Sequence, residues 1–442
     1  MKKYDMDIDK ETILDSIKKD YLKRNSKLNK FIDIINSIDE KRVLVLDGQW
    51  GTGKTIFVHQ IIAINENNIE DFVDSNKNIF MTETINIFKD KYVPYYYNAW
   101  ENDLHESPLL SLIYNLINDF PTEKKQTANG KIQLPFNLKE LLKTISGNAI
   151  DLEKVESFED ITSEIHTAEE KRNALNIIIN NIVPEGKRLL FIIDEMDRCK
   201  PTFSVNMLET IKHFFNNEKI TFLLVTNNEQ LSHVITNYYG ANFDGYSYLN
   251  KFYDLIIELD EINVVDYLQN KFGQSKTSRY YDYSLFSISQ YFRFSMREIN
   301  RLLSDFDFLS KYFQTSYGGI YKEDLILKYI FLPYCLAMKI NDRKGLTQFL
   351  NGDGYDNLEK FVTSMGDIKR ILQYDVNNNR AKDNNEEFQE TEIIEFLKNK
   401  YEIYFKSDIS LSENYEYKTS KQKFIDTFSL LGNYTEIQKK DD

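Results

Sequence analysis

Three stretches of the chain are continuously apolar: 43–46 (VLVL), 189–193 (LLFII) and 220–226 (ITFLLVT). Runs of this length without polar alternation predict strands buried on both faces, as in a parallel sheet. An aromatic run at 94–100, PYYYNAW, predicts a further short strand. Around these strands the apolar period lengthens to that of a helix. Residues 8–38 read as helical, with Ile13, Leu14, Ile17 and Leu22, then Phe31, Ile34, Ile35 and Ile38 on one side. Helices are also predicted after Lys54, over 107–119 with Ser107 capping and Pro108 in the first turn, over 138–145, 158–183 and 201–215, and from 228 to 238. Residues 65–91 are polar and weakly periodic, and 121–135 read as a polar loop. Strands alternating with helices predict an α/β fold with helices on both faces of a parallel sheet, a three-layer core.

Beyond residue 261 strand signals fade. Helical spacing covers 264–272, 283–291, 296–309, 325–338 and 391–405, whereas 375–387, DVNNNRAKDNNEE, reads as a disordered loop. The expected organisation is an N-terminal helical segment (1–40), an α/β core (41–260) with a helical insert at about 101–185, and a mostly α-helical C-terminal lid or effector domain (261–442). No internal repeat is visible.

Composition narrows the picture. The chain has 442 residues, 42% hydrophobic and 28% charged, with a net charge of −14. That balance argues against broad nucleic-acid coating, which needs clustered cations, and leaves only a local basic site open. Such a site would be the face of Lys18, Lys19, Lys23, Arg24, Lys27 and Lys30, which reads either as a solvated helix face or as a docking surface for an anionic partner. Two cysteines, Cys199 and Cys335, make no disulfide or metal framework and point to a reducing cytoplasm. The first fifteen residues hold no apolar signal core, and the longest strongly apolar stretch, 329–338, is too short for a bilayer and contains Pro333. A soluble, cytoplasmic protein is the expectation.

The chemistry centres on the residues just past the first strand. After Asp47 comes Gly48-Gln49-Trp50-Gly51-Thr52-Gly53-Lys54-Thr55, which fits the phosphate-loop pattern G-x-x-x-x-G-K-[ST]. Glycines let the backbone wrap tightly, so that amides from Gly48 to Ile56 and the helix dipole can face phosphate oxygens. Lys54 would reach the β- and γ-phosphates, and Thr55 would place its hydroxyl on Mg²⁺. The strand at 189–193 ends in Asp194 and Glu195. Asp194 is the candidate metal-holding acid, and Glu195 the candidate general base for an attacking water. Ligands of such sheets sit at the carboxyl ends of the strands, where Gly48, Asp194 and Asn227 all fall.

These residues resemble the KAP family of P-loop NTPases. GQWGTGKT carries the family's tryptophan as Trp50, and YYYNAWENDL, with Trp100, is similar to its aromatic N-x-W segment. FIIDEMDRCKPTFSVNMLETIKHFF matches the extended acidic motif at Asp194, Glu195, Asp197, Arg198, Cys199 and Pro201, and SMREINRLL resembles the arginine-bearing helix near the end of the unit. The resemblance spans about residues 20–310. It implies a core related to the additional-strand ATPases, and ATP and Mg²⁺ as ligands; no N-K-x-D motif argues for guanine. Many members carry membrane helices between the two Walker motifs, which residues 56–188 lack, and some bacterial members are associated with phage exclusion.

Single residues keep two readings. Thr226 and Asn227 serve either as γ-phosphate sensors or as a helix cap. Arg297 either contacts the γ-phosphate from the lid or pairs with Glu298 or Asp305. Arg198 is an arginine finger toward a neighbouring subunit or an internal partner of Asp197, the latter preferred. Trp50 reads as a hydrophobic anchor for the loop before a base-stacking residue, and Cys199 as a packing residue. His59 and His213 show no metal-ligand spacing. The functional expectation is a Mg²⁺-dependent ATPase acting as a conformational switch on an unknown protein partner, with homo-oligomerisation possible; its rival is an ATP-gated scaffold with little turnover.

Overall fold

The computed structural model describes residues 9–71, 81–105, 107–119, 176, 179–180, 183–213, 217–260, 267–268, 279–323, 325–379, 389–406, 424 and 427–428. The helices expected over 138–145 and most of 158–183 and 264–272 lie outside these residues. The chain divides into two compact units, the first spanning Asp7–Glu261.

The first unit is a five-stranded, all-parallel sheet in the order β2-β3-β4-β1-β5. Its strands are β1 (Arg42–Asp47), β2 (Tyr92–Asn98), β3 (Arg188–Asp194), β4 (Ile220–Thr226) and β5 (Leu255–Glu258). The helices are α1 (Lys10–Lys19), α2 (Asn25–Asn36), α3 (Lys54–Glu66), α4 (Thr82–Lys91), α5 (Pro108–Asp119), α6 (Pro201–His213), α7 (Asn228–Tyr239) and α8 (Gly245–Leu249).

Period-2 alternation sorts the strand residues to opposite faces, and this makes three layers. Val43, Val45, Leu189, Phe191, Ile193, Phe222 and Leu224 join a core with α5, α6 and α7. Leu44, Leu46, Leu190, Ile192, Leu223 and Val225 join the opposite core with α1, α2, α3 and α4. Each such fully buried side chain contributes on the order of 1.5–3 kcal/mol. The N-terminal helices are thus part of the same layer as the helix that follows the glycine loop.

Three local readings are corrected, and one strand is added that the sequence pattern did not predict. The single helix over 8–38 is two helices, broken where Asp20 and Lys23 take left-handed angles (φ 46° and 51°). The Asp20 carboxylate accepts from the Arg24 and Asn25 amides and starts α2. The stretch 65–91 contains α4, whose inward residues are only Ile85 and Phe88 with Thr84. The edge strand β5 offers an apolar run of only three residues, Leu255 to Ile257, none of them fully buried, which is too short to stand out as the runs of its neighbours do. Residues 375–379 extend a helix instead of beginning a loop.

The second unit, described after Glu261, is helical: α9 (Arg279–Tyr291), α10 (Met296–Glu323), α11 (Leu332–Asn341), α12 (Arg343–Leu350), α13 (Tyr355–Ser364), α14 (Gly366–Asn379) and α15 (Glu390–Tyr401). A π-turn, Leu327–Phe331, leads into α11. Helix α10 starts with a capping box, Ser295 and Glu298 bonding each other's amides. An aromatic cluster organises the interior: Tyr334 stacks on Phe361, and Tyr401 packs on Phe349 while its hydroxyl donates to the Phe349 carbonyl at 2.8 Å. Cys335 is wholly enclosed there, and burial pushes its thiol up, which suits a packing residue. Among the described residues, no helix is long and apolar enough to cross a membrane.

Candidate nucleotide-binding site

Strand register brings the predicted residues together. Asp47 lies opposite Thr226, and Asp194 opposite Val225 on one side and Asn98 on the other. The loop 48–53 leaves β1 at that edge and turns into α3, capped by Gly53. Gly51 and Gly53 hold φ of 81° and 83°, angles that a Cβ disfavours. At Gly48 the constraint is space: a Cβ would come 3.0 Å from the Thr52 hydroxyl and 3.3 Å from the Leu259 carbonyl.

Lys54 is buried, and its ammonium donates to the Gly48 carbonyl at 2.6 Å and the Gln49 carbonyl at 3.1 Å. Burial lowers its pKa, opposed by the charges of Asp197, Asp194, Glu195 and Asp47. The Thr55 hydroxyl donates to Asp194 Oδ2 at 2.8 Å. Asp194 is 2% exposed; its Oδ1 accepts the Glu195 amide at 2.7 Å, and Tyr96 adds a hydroxyl on Oδ2 at 3.2 Å. Desolvation raises the pKa of this carboxyl, against the hydrogen bonds of Thr55, Glu195 and Tyr96 and the charge of Lys54. Ile56 is partly buried and packs against the α1–α4 face.

Asn227 caps α7, its side chain accepting from the Gln230 amide at 3.2 Å and donating to Gln49 Oε1 at 3.5 Å. The Thr226 hydroxyl is buried without a partner among the described residues. Arg297 lies in the second unit, exposed in the first turn of α10. Neither expected carboxylate pairs with it: Glu298 caps the helix, and Asp305 pairs with Lys339 at 3.5 Å.

Arg198 departs from its preferred partner. Its Nε meets Glu195 Oε2 at 2.5 Å, and its guanidinium lies over the Trp100 ring, 5.6 Å from the centroid. Asp197 instead accepts the indole N–H of Trp50 at 2.5 Å. Trp50 is 46% exposed, so a hydrogen bond and not burial ties it down. The turn at 196–198 separates the two charges, and each is met by one of the chain's two tryptophans. Trp100 is set by Asn98, whose side-chain oxygen accepts the Trp100 and Glu101 amides. Cys199 is buried, with its thiol pushed up by desolvation and its Sγ 3.6 Å from the Glu195 carbonyl, as a packing residue would be.

Sequence reasoning missed Tyr96 and Arg24. Tyr96 reaches Asp194 from the neighbouring strand, a meeting that only strand register reveals. Arg24 leaves the basic face for the loop: it is buried, and Nη1 donates to the Thr52 carbonyl at 2.5 Å. Lys19 pairs with Asp15 at 2.9 Å and Lys27 with Asp260 at 2.6 Å. At least half of the six expected basic residues are therefore engaged within the protein.

A parallel sheet with β4 between the glycine-loop strand and the acid-bearing strand, and a threonine at the helix start bonded to that acid, defines a P-loop NTPase domain of the additional-strand kind. The KAP family P-loop domain matches residues 24–313. The chain belongs to that family of nucleotide-binding P-loop NTPases. No curated protein matches it.

Proposed function

We propose that the protein is a Mg²⁺-dependent ATPase that works as a nucleotide-driven conformational switch on a protein partner. The observation that carries this reading is the 2.8 Å bond between Thr55 and Asp194. It places a hydroxyl and a carboxylate, the oxygen donors that Mg²⁺ prefers, at the mouth of a glycine loop in which a Cβ at Gly48 would crowd its neighbours. Thr55 and Asp194 would hold Mg²⁺, which would neutralise charge on the phosphates. The amides of the loop from Gly48 to Ile56, with Lys54, would bind the phosphate chain, and Asn227 would sense its far end. Glu195 would orient the attacking water and accept its proton, with Arg198 giving up its ion pair to free the carboxylate. The assignment of Arg297 to the γ-phosphate rests on the sequence alone. Family members' association with phage exclusion supplies one setting for the switch.

The Glu195–Arg198 pair also favours a second reading. A carboxylate held at 2.5 Å by a guanidinium is a poor base, which suits an ATP-gated scaffold with low basal turnover. Phosphate release by wild type and Glu195→Gln separates the two. The ATPase reading expects measurable Mg²⁺-dependent release that falls at least about a hundredfold in the variant. Equal background rates would leave the scaffold.

A further inference from the structure

Arg24 sits in the turn between α1 and α2, where the backbone is already left-handed at Asp20 and Lys23. It is 7% exposed, and burial lowers its pKa to about 10, partly offset by the charge of Asp260. A buried guanidinium must find acceptors for its donors. Here they are two main-chain carbonyls from distant parts of the chain: Thr52 in the glycine loop, and Asp260 just after β5, which takes Nη2. The turn lies directly on the loop. A Cβ on Gly53 would be 3.5 Å from Arg24 Nη1 and 3.9 Å from the Leu22 side chain.

The Thr52 carbonyl and the Gly53 amide share one planar peptide and point in opposite directions. Holding that carbonyl outward turns the Gly53 N–H into the loop, toward the space a phosphate would fill. Glycine-rich backbone is costly to order, so a brace that orders it beforehand lowers the cost of binding. The planar fork suits two diverging carbonyls, which a single ammonium does not.

We infer that Arg24 is a positioning residue: it presets the phosphate cradle and ties it to the end of β5, so that a nucleotide's phosphates, once bound, also stiffen residues 255–260. This rests on the phosphate-loop reading of 48–55. The test uses the full chain with ADP as probe, measuring affinity by calorimetry and amide exchange over 48–55 and 255–260. Arg24→Ala is expected to weaken ADP about tenfold, to speed exchange of 48–55 in the free protein, and to abolish the protection of 255–260 by ADP. Arg24→Lys should recover only part of this, and Lys27→Ala, which removes just the Asp260 ion pair, should bind ADP as wild type does. A folded Arg24→Ala with wild-type ADP affinity and loop exchange overturns the inference. Should that variant fail to fold, Arg24→Lys and Arg24→Gln are read in the same way, and wild-type affinity and exchange in both overturn it. Lys54→Ala separates the two levels. ADP affinity unchanged there sinks the phosphate-loop reading itself, whereas a loss there with silent Arg24 variants sinks only the role of Arg24.

Discussion

Glu195 holds φ 63° and ψ 23°, a left-handed conformation that costs a residue with a Cβ about 1 kcal/mol or more. Such strain at a candidate base is maintained by its surroundings, here the ion pair with Arg198 beneath Trp100. Arg198→Ala removes that ion pair from the carboxylate. Basal phosphate release is expected to rise several-fold, and a collapse to background would instead assign Arg198 to the phosphates. His59 offers a pH test one residue away from that chemistry. Its ring packs at 4.5 Å on Tyr96, and burial lowers its pKa below the ordinary 6.5. As pH falls from above 6.5, the unfolded chain takes up a proton that the folded one refuses, so stability drops until the folded pKa is passed. His59→Phe keeps the ring contact without the titration. Its thermal unfolding should lose that part of the acid-side slope, and an unchanged slope would show that His59 is not its source.

At the level of the element, the loop and α3 form one device. Gly53 needs its positive φ, whereas a Cβ there would make only ordinary contact with Arg24 and Leu22, so the cost of a side chain lies in the backbone. Gly53→Ala is therefore expected to lower stability by about 1 kcal/mol and to lose ADP binding, read by thermal melting and calorimetry. Near-wild-type behaviour in both would mean that the loop tolerates a different path. The elements also show which signals a linear chain carries. β3 and β4 were legible because burial on both faces makes a strand uniformly apolar. β5 was not, because its apolar run is only three residues long, as suits a short, half-exposed edge strand. α4 was hidden because it turns only a narrow face to the core.

At the scale of the whole molecule, the first unit is built around a sheet with a core on each face, and the second around an aromatic, helical interior. Ligand binding to the first should appear as linkage. Saturation at about a hundredfold over Kd raises stability by about 2.7 kcal/mol. ATP with Mg²⁺ should raise Tm more than ATP alone, and Thr55→Ala should erase that difference. A melting curve indifferent to ATP and Mg²⁺ would contradict the proposed function. Light scattering with and without nucleotide would report whether assembly accompanies binding.

The order of residues alone marked the glycine loop and the acid-ended strand, because glycine spacing, the lysine and threonine beside it, and an apolar run ending in two carboxylates are local properties. It also determined the layered α/β class, since strand and helix periods are written along the chain. Folding decided the partners. Arg198 chose Glu195 over Asp197, the tryptophans took Asp197 and Arg198, Tyr96 came to Asp194 across a strand, and Arg24 left a basic helix face for the Thr52 carbonyl 28 residues away. Such choices depend on which side chains reach the same few cubic ångströms once water is excluded, and sequence spacing does not encode that proximity.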